Sequence, residues 1–515
     1  MEEEESMVTR VSGKKGFRFL FPLGIFLVFV LVFTSCANKQ ESGQQPLDKN
    51  ITQAVKKKFT SARGISAPEN IEVEAKEGVV SISGHVPSLL AKERTTRIVE
   101  GVRGVKSVVN NMTVDSTRSD SALVADVAAA LENDPATEEF EISATVESGT
   151  AILTGSVDSW REKDLAATVV KGVKGVRDIE NNIDVNFKLN RPPEEIKKDV
   201  LGALKYDARL DAGMISVQVN NNVVTLTGTV GSAHEKTLAE RDAHVIGVRK
   251  VDASGLNVKS GERKNMQQTA TTENLSDNDI QEAIENALQL DPRVNQDEVA
   301  VEVDTGVVTL SGTVDNLKTS RSAAEDAKNT LGVTDVKNEI EIVPANEIDD
   351  STIKKTVLAG LNRDPYLDPA NIEVTVDEGN VTLNGQVADY FRKWEAGDIA
   401  VKVNGVIGIK NNLQVNYKER SYKYPYYDWD PIYYDYDYKP QNKTDAQLTK
   451  DIEYGMKWSP FVDADNVKVT VENGIVTLSG TVRSWFAATK AANEAYEAGA
   501  HEVINHLKFS GLPNL

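Results

Sequence analysis

Short runs in which apolar and polar residues alternate recur six times along the chain. The clearest reads "GIVTLSGTV" at 474–482. "GVVTLSGTV" (306–314), "NVVTLTGTV" (222–230), "GNVTLNGQV" (379–387), "GVVSISGHV" (78–86) and "GTAILTGSV" (149–157) are versions of it. A period of two predicts a strand with one buried face. A second alternating stretch, such as "IEVEA" (71–75) or "VKVTV" (467–471), precedes each run across a short turn. That turn often holds glycine, as at Gly78, Gly306, Gly379 and Gly474. Two such runs so close together predict an antiparallel hairpin. Upstream the period changes to three and four, in "ALVADVAAALENDP" (122–135), "DIQEAIENALQLDP" (279–292) and "TIKKTVLAGLNRDP" (352–365). These are amphipathic helices, stopped by Pro135, Pro292 and Pro365. Downstream, a second helix rich in Ala, Lys and Glu leads into "GVRGV" (101–105), "GVKGV" (172–176) or "GVIGI" (405–409). The unit closes on a third strand, as in "VVNNMTV" (108–114) or "DIENNIDV" (178–185).

The repeating unit is therefore α-β-β-α-β, and the fold class α+β. A three-stranded sheet with two helices on one face is the packing that buries every apolar stripe. The second helix is a crossover, so strands two and three should run parallel in a mixed sheet. One glycine recurs inside the second strand, at Gly84, Gly155, Gly228, Gly312, Gly385 and Gly480. Gly480 shares a strand face with Val476, Leu478 and Val482. It is expected to point inward and let a helix approach closely, with a bulge as the alternative. Its role is structural under either reading.

A chain of 515 residues is too long for one ordinary core. The spacing of the repeats divides it into 47–116, 119–188, 193–260, 276–344, 349–417 and 443–511. Residues 261–275 form a polar linker. Residues 418–442 form a second one, in a stretch from Tyr417 to Pro440 that carries nine of the fourteen tyrosines and Trp429. The net charge of −20 argues against a nucleic-acid partner, which demands basic surface.

The alternating strand, glycine turn, "VTLSG-V", Ala-rich helix, "GV-GV" and "V-N-I-V" together resemble the BON domain (bacterial OsmY and nodulation). The likeness recurs over most of the chain. Three copies depart at the first glycine of "GV-GV", with His244, Asn329 and Tyr496. The resemblance implies a bacterial envelope protein that holds phospholipid membrane and supports envelope integrity or osmotic stress tolerance. Some members of the family bind potassium, but no oxygen cage is visible in this sequence.

The first 36 residues read as an export signal. Arg10, Lys14, Lys15 and Arg18 precede an apolar stretch at 19–34, and "FTSC" ends at Cys36, the single cysteine. Small residues before a lone cysteine resemble a bacterial lipobox, which implies lipidation at Cys36 and attachment to the outer membrane facing the periplasm. An uncleaved membrane anchor is the alternative, but the apolar stretch is short and interrupted by Pro22. Residues 37–46 are a polar tether.

Catalytic chemistry is hard to find. His85, His234, His244, His501 and His506 are scattered over three units, and no nucleophile elbow, phosphate loop or HExxH is present. The sequence predicts no enzyme, no metal and no cofactor. Binding remains. Two residues beyond the last core position of helix one stand Ser61, Asn133, Tyr206, Leu290, Arg363 and Trp458. Trp458 and Phe461, with Lys457 beside them, are candidates for the lipid headgroup level. Packing of Trp458 onto its own unit or the tyrosine linker, or against a protein partner, is the competing reading. Five residues after the repeat glycine stand Leu89, Trp160, Ala233, Leu317, Tyr390 and Trp485. An apolar residue in every copy suggests a staple that closes helix two onto its own core. Residues 51–116 hold ten Lys and Arg against seven Asp and Glu. Lys56, Lys57, Lys58 and Arg63 could therefore attract anionic lipid, or form an ordinary solvated face. A scaffold that binds other envelope proteins is the alternative function.

Overall fold

Two consecutive residues with positive φ make each hairpin turn: Glu77–Gly78, Ser148–Gly149, Asn221–Asn222, Thr305–Gly306, Glu378–Gly379 and Asn473–Gly474. This is the type I′ geometry, whose twist matches that of the flanking strands. In five units an aspartate of helix one, its first residue in all but unit one, accepts both turn amides. Asp445 takes those of Asn473 and Gly474, each at 2.9 Å. Asp48, Asp120, Asp277 and Asp350 repeat the arrangement. In the third unit Pro193 occupies that place.

The computed structural model describes residues 41–61, 65, 68–115, 118–137, 140–186, 191–260, 275–388, 390–415 and 443–509. Cys36, most of the linker 261–275 and the Tyr-rich linker lie outside these. Unit one comprises α1 (Glu41–Ser61), which begins within the segment expected as a tether, β1 (Glu72–Lys76), β2 (Val79–Val86), α2 (Leu89–Glu100) and β3 (Ser107–Val114). Unit two is α3 (Asp120–Asn133), β4 (Glu141–Glu147), β5 (Thr150–Val157), α4 (Trp160–Lys171) and β6 (Asp178–Val185). Unit three is α5 (Pro193–Tyr206), β7 (Ile215–Asn220), β8 (Val223–Val230), α6 (Ala233–Asp242) and β9 (Lys250–Val258). Unit four is α7 (Asp277–Leu290), β10 (Val299–Asp304), β11 (Val307–Val314), α8 (Leu317–Lys328), β12 (Asp335–Asn338) and β13 (Glu341–Ile342). Unit five is α9 (Asp350–Arg363), β14 (Ile372–Asp377), β15 (Asn380–Val387), α10 (Tyr390–Val401), β16 (Gly408–Asn411) and β17 (Gln414–Val415). Unit six is α11 (Asp445–Trp458), β18 (Val467–Glu472), β19 (Ile475–Val482), α12 (Trp485–Ala498) and β20 (Glu502–Phe509).

Each unit is the expected mixed sheet. The second strand is central, antiparallel to the first and parallel to the third, as in Val469↔Leu478 and Leu478↔Asn505. One sheet face packs on both helices: in unit six, Val476 and Leu478 meet Leu448, Ile452 and Met456 of α11 and Ala491 and Ala495 of α12. Helix one stops where the sequence indicates. Asp134, Asp291 and Asp364 cap it in extended conformation, because a following proline disfavours the helical region.

The recurring asparagine of the third strand ties that strand to helix two. Asn181 donates to the Lys163 carbonyl at 2.8 Å, and its side-chain oxygen accepts from the Ile183 amide. Asn110, Asn338, Asn411 and Asn505 do the same. Unit three has Ala253 there, and its strand pairing carries a register shift between Thr225 and Thr227.

Two expectations about local geometry are corrected. Gly480 is exposed, and its nearest neighbours come from neither α-helix of its unit. It has φ +122°, and a Cβ at this position would run into the Asn466 carbonyl, just before the partner strand. Gly155, Gly228, Gly312 and Gly385 have φ between +125° and +135° and the same carbonyl neighbour; Gly84 has φ +140°. A bend against backbone, not room for a helix, selects glycine. In unit five the corner after helix two runs through 402–406, not "GVIGI" at 405–409. The amides of Val403 and Val406 donate to Ala400 and Val403, as those of Val102 and Val105 donate to Val99 and Val102. Lys402 thus joins His244, Asn329 and Tyr496 as a departure.

Asp48–Leu515 form one compact body, and a third correction follows from how the units pack. The residue expected to staple helix two to its own core reaches a neighbour instead. Leu89 packs on the core of unit two, Ala233 on that of unit one and Leu317 on that of unit five. Trp160 donates its indole N–H to the Arg249 carbonyl of unit three at 2.9 Å. Trp485 lies 5.6 Å from the Lys328 ammonium of unit four. Units one, two and three therefore close into a ring, one onto two, two onto three, three onto one. Four onto five and six onto four follow the same rule.

The two sets are joined by a second relation. The carbonyl ending helix one accepts an amide from another unit's corner: Tyr206 from Leu331 at 2.7 Å, Arg363 from Lys174 at 2.8 Å and Trp458 from Arg103 at 2.8 Å. Unit three thus pairs with four, five with two, and six with one.

Candidate functional site

The helices of units one to five converge on a chamber of about 880 Å³. Its wall includes Leu90 of α2, Leu165 and Val169 of α4, Leu201 of α5, Leu290 of α7 and Trp394 of α10. Charge is abundant there as well: twelve Lys and Arg side chains face thirteen Asp and Glu, so the chamber does not share the acidic excess of the whole chain.

Three carboxyl pairs stand in this wall, each made of the aspartate that ends helix one and an acid of helix two. In unit three, burial would raise Asp207, but Arg209 and Arg241 outweigh it and hold the group well below the usual range. Arg209 grips Asp207 at 2.6 Å. Burial pushes its neighbour Asp242 up to about 6, and Asp207 adds to the rise. Asp207 thus keeps its charge beside a neighbour whose own ionisation is disfavoured. In unit five, burial pushes Asp364 up to about 6 and carries Glu395 well above the carboxylate range, helped by Asp364 and Asp398. In unit four, burial and Asp291 raise Asp326 well above that range. A raised pKa favours the uncharged acid, which can donate a hydrogen bond. None of these groups was singled out in the sequence, where carboxylates on helices read as solvated faces. The one available signal was the repeated aspartate just before Pro135, Pro292 and Pro365.

The BON domain model matches residues 47–116, 119–186, 194–260, 276–344, 349–417 and 444–511, well over half of the chain. The chain belongs to the BON domain family. Among similar proteins, the osmotically-inducible protein Y of Escherichia coli is 26% identical over 169 residues, which is 32% of this chain and 84% of that protein. The outer membrane lipoprotein DolP of Haemophilus influenzae is 28% identical over 158 residues, 29% of this chain and 81% of the relative. A solved structure of CdsD, a structural protein of the type III secretion system of Chlamydia trachomatis, is 17% identical. It covers 40% of this chain and 90% of its own, and its TM-score of 0.12 is too low to bear on how the six BON units are arranged.

The candidate membrane residues fall mostly within contacts between BON units. Trp458 is half-buried and packs against the core of unit one. Phe461 lies edge-on to His234 of unit three at 5.1 Å and to Phe486 at 5.3 Å. Lys58 bonds Glu494 at 2.6 Å and Glu497 at 2.7 Å. Lys57 reaches Asp451 at 3.3 Å and lies over the Tyr454 ring. Lys56 and Lys457 are exposed. Arg63 and Cys36 lie outside the described residues. The histidines stay apart: burial and Lys490 push His234 down to about 3, and His85 contacts Asp115 at the surface. Among the described residues no cluster suits a metal ion, and no helix is long and apolar enough to cross a membrane.

Proposed function

We propose that this chain is a non-enzymatic protein of a bacterial envelope. It is lipidated at Cys36 and holds phospholipid membrane against the outer sheet faces of its first and sixth BON units. An osmotically inducible protein and an outer membrane lipoprotein among its relatives support the location and a role in envelope or osmotic stress. One observation carries the choice of surface. Val79 and Val109 of unit one, and Ile475 and Ile504 of unit six, are exposed large apolar residues at the same two outward positions of the sheet. The other units have Thr150 and Glu180, Val223 and Asp252, Val307 and Lys337, and Asn380 and Lys410 there. Exposed Lys76, Lys106, Lys468 and Lys508 flank the apolar pairs and suit anionic headgroups. Unit one follows Cys36 in sequence, and unit six is locked onto unit one, so both apolar faces belong to one docked pair of units. Trp458 and Phe461 become available to lipid only if that lock opens.

Burying a large aliphatic side chain contributes roughly 1.5–3 kcal/mol, so four suffice to hold a tethered body on a bilayer. The test is flotation of the Cys36→Ser chain with phosphatidylglycerol-containing vesicles. Val109→Asp with Ile504→Asp should cut flotation about tenfold or more while leaving the melting curve in place, because both sites are on the surface. A double variant that floats like its parent, or a parent that does not float, sinks the proposal.

A further inference from the structure

Four side-chain atoms of the chamber wall are buried without a hydrogen-bond partner among the described residues: Arg97 Nε, Arg161 Nε, Asp242 Oδ2 and Asp326 Oδ2. Arg161, near the start of α4, lines the chamber, and its Nε is buried without a hydrogen-bond partner among the described residues. Asp242 of unit three and Asp326 and Asp291 of unit four act on its charge, so it stands where three BON units meet. None of them forms an ion pair with it. Asp326 of α8 lines the same space, and its Oδ2 is likewise buried and unpartnered. Nearly all buried polar atoms in folded proteins are paired, so Arg161 and Asp326, orphaned on one cavity and acting on each other's charge, mark a missing partner.

Charge and shape define that partner. Burial of Arg161 disfavours its charge, yet a guanidinium stays protonated in any protein environment. Burial and Asp291 raise the Asp326 carboxyl well above the usual carboxylate range, with Glu325 adding to the effect, and so favour its protonated, donating form. Arg161 can only donate, so what it lacks is an acceptor, and the protonated form of Asp326 adds a second donor. A chamber of about 880 Å³ is the size of pockets that enclose small organic molecules. Leu165, Leu201, Leu290 and Trp394 offer it an apolar wall.

We propose that the chamber binds a small organic oxyanion with an apolar body, gripped at its head by Arg161 with Asp326 as a second donor. Carboxylate and phosphate heads share this chemistry, since a guanidinium meets either with paired hydrogen bonds. The proposal does not depend on membrane binding, because the chamber and the outer sheet faces are different surfaces.

Calorimetric titration of the Cys36→Ser chain tests it, with octanoate as the carboxylate probe, phenyl phosphate as the phosphate probe and octylammonium as the control of opposite charge. Saturable binding of octanoate or phenyl phosphate, but not octylammonium, is the expected result, and the probe that binds tells which head is used. Arg161→Met should weaken that binding about tenfold or more. It should not lower the melting temperature, since the cation it removes has no partner. Affinity should fall as pH rises and Asp326, which faces Arg161, Arg293, Asp291 and Glu325, loses its proton. Asp326→Asn keeps a donor, so it should bind and show no such fall. Failure of both anions to bind at millimolar concentration, equal binding by Arg161→Met, or a pocket filled by ordered water alone in their presence overturns the proposal.

Discussion

Lys58 is the most demanding test of the packing between BON units. It lies on α1 of unit one, and its ammonium meets two carboxylates of α12 in unit six, Glu494 at 2.6 Å and Glu497 at 2.7 Å. The side chains are 19%, 8% and 19% exposed, so the triad is largely out of water. Burial would lower the Lys58 pKa, but the two glutamates outweigh it and raise it far above the usual range. Lys58→Met removes the contacting cation and leaves two carboxylates side by side in a poorly solvated interface. Breaking a buried ion pair by deleting one partner costs about 3–5 kcal/mol. The partial exposure here puts the expected loss near the lower figure at pH 7. The sign with pH follows from Glu494. Burial, its first cause, raises its pKa despite Lys58, so its ionisation opposes folding. That penalty applies above its folded pKa and disappears as protons bind. The deficit of Lys58→Met should therefore shrink as pH falls through and below the ordinary carboxylate range. Adding Glu494→Gln and Glu497→Gln should recover most of it at pH 7, because no charge is then left unpaired. Urea unfolding of the Cys36→Ser chain, read by tryptophan fluorescence and by calorimetry, measures both effects. A loss under about 1 kcal/mol at pH 7, well below what a broken buried pair costs, would mean that units one and six are not docked in solution.

Two further outcomes follow from the described geometry and from the sequence. Gly480→Ala should destabilise unit six nearly as much as Gly480→Val, by about 3 kcal/mol in a chemical melt, because the first added carbon already meets the Asn466 carbonyl at a φ that L residues avoid; a mild effect of alanine would show that side-chain bulk matters and not the bend. Mass spectrometry of membrane-bound protein should find an N-terminus at diacylated Cys36, Cys36→Ala should release the chain, and an intact Met1 or Met7 in that fraction would refute the lipobox.

The unit was legible in the sequence, and the assembly of units was not, for physical reasons that particular residues display. Alternation fixes which face of β19 is buried whatever surrounds it, so Val476 and Leu478 could be assigned to a core from their spacing alone. The reason for glycine at 480 was misread because alternation describes a straight strand, and this strand bends there, against a neighbouring carbonyl. Leu89, Trp160, Ala233, Leu317 and Trp485 form the instructive case. An apolar residue in every copy signalled a packing position, and Leu89, Ala233 and Leu317 do meet a core, but periodicity cannot say whose core receives them. Each of these residues leaves its own unit at the start of helix two and meets a different neighbour, which explains why one position is filled by alanine, leucine and tryptophan in turn. The links between the two sets of three carry even less signal. The Tyr206, Arg363 and Trp458 carbonyls accept backbone amides, and any residue offers a carbonyl. Side-chain chemistry at that position was free to diverge, so Trp458 looked like an exception awaiting a lipid although its backbone makes the same bond as that of Tyr206. A repeat thus advertises what all its copies do alone, and it hides what they do to one another wherever the contact is made by backbone or by one position adapted to several partners. The chamber inherits this concealment: Arg161 and Asp326 come from units that are adjacent only after the chain has turned back on itself.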